Sequence, residues 1–172
     1  NGSTAVVTDT RFENGAWEAI NSTLSSVLTI NGNTYSNNGI SGLLMRGGSL
    51  VADATWNSPD TVYVLQDDVT IPQGKTLTLG AGQIIKTGFR TELLVNGTLL
   101  ANGTAADPVI FANGSDDTAG GDTNNNGTAN NASNDASGGI VFSNTSTGSV
   151  LEHVEVRNSG FDVSAAIVVS GA

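Results

Sequence analysis

The sequence predicts an all-β fold, a parallel β-helix (β-solenoid), as a single domain over residues 1–172 or as a segment of a longer solenoid. Three observations lead to this prediction. Short aliphatic runs that read as strands recur along the chain, Asn/Gly pairs separate them, and a strand–corner–strand unit returns after roughly 20 to 28 residues. Such a period is typical of solenoids, because each coil stacks the same side chains on those of the previous coil.

The composition fits a core of thin aliphatic layers. Hydrophobic residues make up 38% of the chain but aromatic residues only 5%, so Val, Ile, Leu and Ala must form the core. The net charge of -10 argues against nucleic acid as a partner, because phosphate binding needs clustered Lys and Arg. No run of 18 apolar residues occurs, which argues against membrane insertion. Without Cys there is no disulfide framework.

Pairs such as Asn14-Gly15, Asn31-Gly32 and Asn38-Gly39 mark the expected corners, since Asn and Gly adopt positive φ at low cost. Phe12 and Tyr35 precede two of these corners and are 23 positions apart. We therefore expect these two residues to occupy equivalent positions in adjacent coils. Helical periodicity is nearly absent, and almost no helix is expected.

The segment from Val62 to Lys86 alternates apolar and polar residues, as in strands that turn one face toward a core. The alternation predicts these inward-facing side chains: Val62, Val64, Val69, Ile71, Leu77, Leu79 and Ile84. A second pass of the same kind runs from Leu93 to Phe111, so the solenoid is expected to extend across the chain.

Four phrases carry a resemblance to a known family: DVTIPQGKTLTL at 68–79, LVNGTLLANGTA at 94–105, DPVIF at 107–111 and LEHVEVR at 151–157. They resemble the right-handed parallel β-helix repeats of large secreted bacterial surface and adhesin-like proteins. The resemblance covers residues 62–172 and implies a right-handed coil at an extracellular or cell-surface location. It implies no particular activity, because this scaffold carries lyases, hydrolases, adhesins and fibre proteins alike.

A protruding loop rich in Asp, Asn and Gly is expected near residues 113–138, where the coil period is interrupted. Asp122, Asn124 and Asn126, followed by Gly127, resemble the start of a calcium loop, in which oxygen ligands alternate before a glycine turn. The candidate calcium ligands are Asp116, Asp117, Asp122, Asn124, Asn126 and Asp135. The pattern departs from an EF-hand because Ser133 stands where the bidentate acid belongs. The alternative is a polar loop that binds nothing.

No catalytic set is evident, and the chain is not expected to be an enzyme. Alternation turns Val154 and Val156 inward and the only His, His153, outward with Glu155 and Arg157. Because no nucleophile or orienting group is nearby, this row is expected to be a solvated strand face with paired charges. The pair Asp67-Asp68 is likewise expected to form a turn.

Both ends of the sequence read as uncapped strands, and joined tail to head they form one further coil, with Phe12 28 positions after Val156. We therefore expect an extracellular structural solenoid that self-associates by axial stacking of coils, as a fibre or adhesin stalk, or continues covalently in a longer protein.

The alternative function is a carbohydrate-binding or polysaccharide-degrading, lyase-like module. Four aromatic residues are candidates for a sugar-stacking strip: Trp17, Tyr35, Trp56 and Tyr63. A lyase would also need a basic residue, one of Lys75, Lys86 and Arg90, beside the acidic loop. The sequence leaves open whether any of them meets that loop in space.

Overall fold

The computed structural model describes residues 2–127, 137–160 and 164–171, and within these ranges the chain forms strands, turns and bends but no helix. Accordingly, this part of the chain has no helix long and apolar enough to cross a membrane. The strands are β1 (Thr4–Thr8), β2 (Arg11–Glu13), β3 (Glu18–Ser22), β4 (Val27–Asn31), β5 (Thr34–Ser36), β6 (Ile40–Met45), β7 (Gly48–Ser49), β8 (Ala54–Trp56), β9 (Tyr63–Leu65), β10 (Val69–Ile71), β11 (Thr76–Leu79), β12 (Ile84–Thr87), β13 (Glu92–Val95), β14 (Thr98–Asn102), β15 (Val109–Asn113), β16 (Gly139–Phe142), β17 (Val150–Glu152), β18 (Val154–Val156) and β19 (Ile167–Val169).

These strands wind into a parallel β-solenoid of about seven turns, which confirms the predicted fold class. Three sheets form its faces. Face 1 consists of β7, β10, β13, β16 and β19; face 2 of β8, β11, β14 and β17; and face 3 of β3, β6, β9, β12, β15 and β18. In the first two coils, β1 pairs with β4 and β2 with β5.

Successive coils place like side chains on top of one another in the core. On face 1, Val69 is in register with Leu93, and Leu93 with Ile140. On face 2, Leu77 is in register with Leu99, and both side chains are fully buried at 0% exposure. Burying one such side chain contributes about 1.5–3 kcal/mol, so the stacked aliphatic rows are the main source of stability.

The predicted inward set is wrong at Val62, Val64 and Ile84, and Val62 is buried from outside by the acidic loop instead of by the core. On β9 and β12 the core-facing side chains are Tyr63, Leu65 and Ile85, which are 4%, 0% and 0% exposed, whereas Val64 and Ile84 are only partly buried. Because side chains alternate along a strand, a shift by one residue exchanges its two faces. Both faces of these strands carry apolar residues, so alternation alone does not identify the inner one.

Two buried asparagines hold the corners of the first two coils together. The side-chain amide of Asn38 donates to Phe12 O (3.0 Å) and its oxygen accepts from Gly15 N (2.9 Å). Asn33 donates to Val7 O in the same way (2.9 Å). Both side chains are nearly inaccessible, and these bonds satisfy backbone groups that the ladder leaves unpaired at a corner.

The hydrogen-bonded ladder is interrupted between β4 and β8, which belong to separate sheets. The two segments approach where Ser58 Oγ donates to Ile30 O at 2.7 Å. A cavity of about 180 Å³ opens between them nearer to Val27 and Val51, which are 64% and 62% exposed. Leu43, Trp56 and Tyr63 are among the residues that line this cleft, so it reaches the core.

Candidate functional site

The acidic loop follows β15, and its described part, residues 114–127, lies against the outside of face 3 instead of extending away from it. Thr123 O accepts a hydrogen bond from Ser41 N on β6 at 2.8 Å. Ala119 is 2% exposed, and a Cβ added at Gly120 would lie 2.5 Å from a methyl group of Val62. The glycine thus allows the loop to pack directly on the sheet.

Lys86 fastens the loop to the sheet. It lies on β12 between the inward-facing Ile85 and Thr87, so its side chain projects outward from face 3. The loop nevertheless covers it completely, and it is 0% exposed. Its ammonium group donates to Gly121 O (2.8 Å) and to Thr123 Oγ1 (2.7 Å). Both acceptors are oxygens of the loop, so the lysine supplies a cation inside the segment for which the sequence predicts a calcium ion.

The electrostatics of Lys86 reflect its burial. Loss of solvation lowers the pKa of the ammonium group to about 8, although the nearby carboxylates of Asp117, Asp116 and Asp122 oppose this shift. The structure therefore brings one of the three candidate basic residues to the acidic loop. Because Lys86 is inaccessible to solvent, it acts as an internal counter-ion and not as a base for an external substrate.

Two of the candidate calcium ligands are already engaged in turns. Asp116 Oδ1 accepts from Thr118 N (3.0 Å) and Thr118 Oγ1 (2.5 Å). Asp122 accepts from Asn126 N (3.0 Å) and Gly127 N (2.9 Å). These contacts give local order to the loop without a metal ion.

Asp117 and Asn124 are different, because their buried oxygens lack partners. Both carboxylate oxygens of Asp117 and Oδ1 of Asn124 are inaccessible to solvent and make no hydrogen bond. Unpaired buried oxygens are costly and are often explained by an ion or a water molecule. They are also the hard donors that calcium prefers, so their chemistry fits the ion.

The remaining ligands of the predicted set contribute less. Asn126 is exposed and donates its backbone N–H to Asp122, and Asp135 lies outside the described residues. Within the described part of the chain, no three His, Cys, Asp or Glu side chains form a group that could hold a metal ion. The calcium site stays a prediction, with Asp117 and Asn124 as its best-supported members.

Glu155 and Arg157 lie on one outer side, as predicted, but His153 lies at the corner between β17 and β18 and not in a strand row with them. Val154 and Val156 are in register with the buried Val109 and Phe111, and Arg157 forms an ion pair with Glu155 on the outer side. His153 is exposed at a corner with φ of 48°. The pairing of opposite charges across two residues is therefore confirmed.

The aromatic residues do not form one surface strip. Trp56 and Tyr63 stack on each other inside the core, at 6% and 4% exposure, whereas Trp17 is 80% exposed. Tyr35 stacks on Phe12 with ring centroids 5.5 Å apart, as expected from their equivalent positions in adjacent coils. The predicted sugar-stacking strip is therefore wrong for Trp56 and Tyr63, because both rings are buried in the core and offer no face to a ligand.

A polar groove lies between the loop and the corner region of the second coil. Its cavity of about 510 Å³ is lined on one side by residues of 33–41, among them Tyr35, and on the other by residues of 120–125, among them Asp122. Asp60 also lines it. The groove forms because the loop packs against face 3. The apolar–polar alternation within single strands could therefore not predict it.

No protein-family model, no curated protein and no solved structure matches this chain.

Proposed function

We propose that the chain is a structural β-solenoid that assembles by end-to-end stacking of its coils. One observation carries the proposal. Ile167 and Val169 are 40% and 79% exposed, although their register partners Ile140 and Phe142 are 2% and 7% exposed in the core. Ile167 and Val169 thus occupy core positions that no described coil covers.

The opposite end presents a related surface. β1 pairs with β4 along one edge, and among the described strands none pairs with its other edge. Val7 is in register with Ile30, which is 5% exposed, but Val7 itself is only partly buried. An open strand edge with apolar side chains favours the addition of another strand.

The contacts inside the chain supply the geometry of the assembly. Adjacent coils pair in parallel, so the last coil of one copy and the first coil of another present edges of the same kind. We propose that a second copy of the chain covers each end, because parallel stacking of one coil on the next is the contact that already holds the coils together within the chain. A head-to-tail contact that does not close generates a filament.

An extracellular or cell-surface location and a calcium ion in the loop belong to the same proposal. The location is supported by the resemblance of the repeats to secreted surface proteins. Calcium is supported by the net charge of -10 and by the unpaired buried oxygens of Asp117 and Asn124. Divalent ions in extracellular fluid reduce repulsion between carboxylates.

Sedimentation velocity and electron microscopy, from micromolar to millimolar concentration, test the assembly. Wild type is expected to form elongated species that grow with concentration. The double variant Ile167→Asp/Val169→Asp is expected to stay monomeric, because charges on the open core row would be buried at each contact. The matched control is Phe89→Asp, which changes a 53% exposed side chain away from the end coils.

Two results would reject the assembly. Wild type that stays monomeric at every concentration excludes self-stacking, and is the behaviour expected if further coils of the same polypeptide cover the ends. Equal loss of assembly in Phe89→Asp would assign the association to general surface hydrophobicity and not to the end coils.

A further inference from the structure

We propose that the groove between the acidic loop and the second coil binds a saccharide that carries a free, protonated amino group. The cavity measures about 510 Å³. This lies within the usual range of roughly 300–1,000 Å³ for small-molecule sites. The inference is independent of end-to-end stacking, because the groove lies on the side of the solenoid.

Tyr35 gives the groove a fixed aromatic surface. Its ring stacks on Phe12 with an interplanar angle of 6°, and its hydroxyl lies 3.0 Å from Thr61 Oγ1. These two contacts restrain the ring before any ligand arrives. A restrained ring loses little entropy on binding, and an aromatic ring packs well against the apolar C–H groups of a sugar.

Two exposed carboxylates supply the charge. Asp60 Oδ2 accepts from Asn33 N at 2.9 Å, and Asp122 is held by the backbone N–H groups of Asn126 and Gly127. Each carboxylate is therefore oriented by the protein but retains oxygen lone pairs for a ligand. Their two negative charges favour an ammonium group over a carboxylate on the ligand.

The other lining groups agree with a polyhydroxylated cation. They are mainly hydroxyls and amides, including those of Thr34, Ser36 and Asn37, and the described residues that line the cavity include no Lys, Arg or His. The ammonium group of Lys86 is buried beneath Gly121 and is bonded to loop oxygens. Acidic sugars such as galacturonate would meet the carboxylates of Asp60 and Asp122 and no lining cation among the described residues.

Titration of the ¹⁵N-labelled full chain with the glucosamine trimer, in a chelator-containing buffer, tests the inference. We expect saturable shifts of backbone amides at 33–37 and 120–125. Tyr35→Ala is expected to weaken binding by about tenfold or more, because the stacking surface is lost. Asp60→Asn, which keeps an acceptor for Asn33 N, is expected to weaken it by about tenfold through loss of one charge.

Two further variants separate the groove from general effects. Thr34→Arg places bulk and a positive charge at an exposed groove position without touching the core, and should abolish binding even if Tyr35→Ala destabilises the fold. Trp17→Ala removes an exposed aromatic ring outside the groove and should leave binding unchanged. Absence of binding by wild type, or equal binding by Thr34→Arg, would overturn the inference.

The ligand controls test the charge. The fully N-acetylated trimer has the same ring but no ammonium group, and the galacturonate trimer carries carboxylates. We expect binding in the order free amine, N-acetylated, galacturonate. An N-acetylated trimer that binds as tightly as the free amine, or a galacturonate trimer that binds more tightly, would contradict recognition of the amino group by Asp60 and Asp122.

Discussion

The ammonium group of Lys86 donates a hydrogen bond to the carbonyl oxygen of Gly121, 35 residues further along the chain, at 2.8 Å. This contact ties the loop to face 3 and forms the wall of the polar groove, because Gly121 itself lines that groove. It also places a charged group where solvent does not reach. The stability of the protein should therefore depend on the protonation of this one side chain.

The first prediction concerns alkaline pH. In the unfolded chain Lys86 has its ordinary pKa of 10.5, whereas in the folded chain the value is about 8. Between these values the unfolded state binds more protons, so the free energy of unfolding should rise from pH 8 to pH 10.5. The gain is on the order of 3 kcal/mol. Denaturant unfolding at a series of pH values measures it.

The matched variants for this test are Lys86→Met and Lys75→Met. Lys86→Met removes the titrating group and should abolish the rise. Lys75 lies at the corner between β10 and β11, is partly exposed, and its replacement should leave the rise in place. A wild-type profile that is flat or falling between pH 8 and 10 would show that Lys86 titrates normally in the folded state.

The second prediction concerns Tyr63, which stacks on Trp56 in the core. Burial raises the pKa of its hydroxyl from 10.0 to about 12. Between these values the folded state retains a proton that the unfolded state loses, so stability should fall as pH rises above 10. The rise caused by Lys86 and the fall caused by Tyr63 together predict that the free energy of unfolding is greatest between about pH 10 and pH 10.5.

Tyr63→Phe should remove most of the alkaline fall while preserving the stacked ring. Tyr35→Phe is the comparison, because burial also raises the pKa of Tyr35, which is less buried. Tyrosinate absorbance of the folded protein provides a direct check. Normal titration of every tyrosine near pH 10 in the folded protein would contradict the predicted shift.

The third prediction concerns Gln83, a fully buried polar side chain at a corner of the solenoid. Its oxygen accepts from Ser58 N (2.8 Å), and its nitrogen donates to Thr61 O (3.0 Å). Gln83→Ala leaves both backbone groups buried without partners, and should lower the free energy of unfolding by about 2–5 kcal/mol. Gln73→Ala, at an exposed position, should change it by less than about 0.5 kcal/mol. A loss at Gln83 no larger than that at Gln73 would mean that water replaces the amide.

Local pattern explains why some of these features follow from the sequence and others do not. The equivalence of Phe12 and Tyr35 and the pairing of Glu155 with Arg157 both depend on spacing within one coil or one strand, and both are confirmed. The burial of Lys86 does not follow from spacing of this kind. The alternation that predicts Ile84 inward places Lys86 on the same, wrong face. The structure turns Lys86 outward, and the loop 35 residues later buries it.

The same limit applies to the candidate sites. The motif of Asp122 to Gly127 identifies a real turn, in which the carboxylate holds two backbone N–H groups. Which acids keep unpaired oxygens, however, is decided by how the loop packs on face 3, and this selects Asp117 over Asp116. Sequence alone therefore locates the acidic loop but does not rank its ligands.

The fourth prediction is that millimolar calcium raises the unfolding temperature of the wild-type chain. An ion that binds only the folded state stabilises it by about 2.7 kcal/mol at a hundred times its dissociation constant. Asp117→Asn should abolish the shift, because it removes the carboxylate whose two buried oxygens lack partners. Asp67→Asn, at an exposed acidic position outside the loop, should retain it.

Asp122→Ala should also lose the calcium response, but it removes the acceptor for Asn126 N and Gly127 N and should therefore melt earlier even without calcium. Asp117→Asn is the cleaner test, because no hydrogen bond is broken. Magnesium should stabilise less, since it retains its water shell and tolerates buried, irregular sites poorly. A wild-type melting temperature that is the same in calcium and in chelator would leave Lys86 as the only cation that the described loop needs.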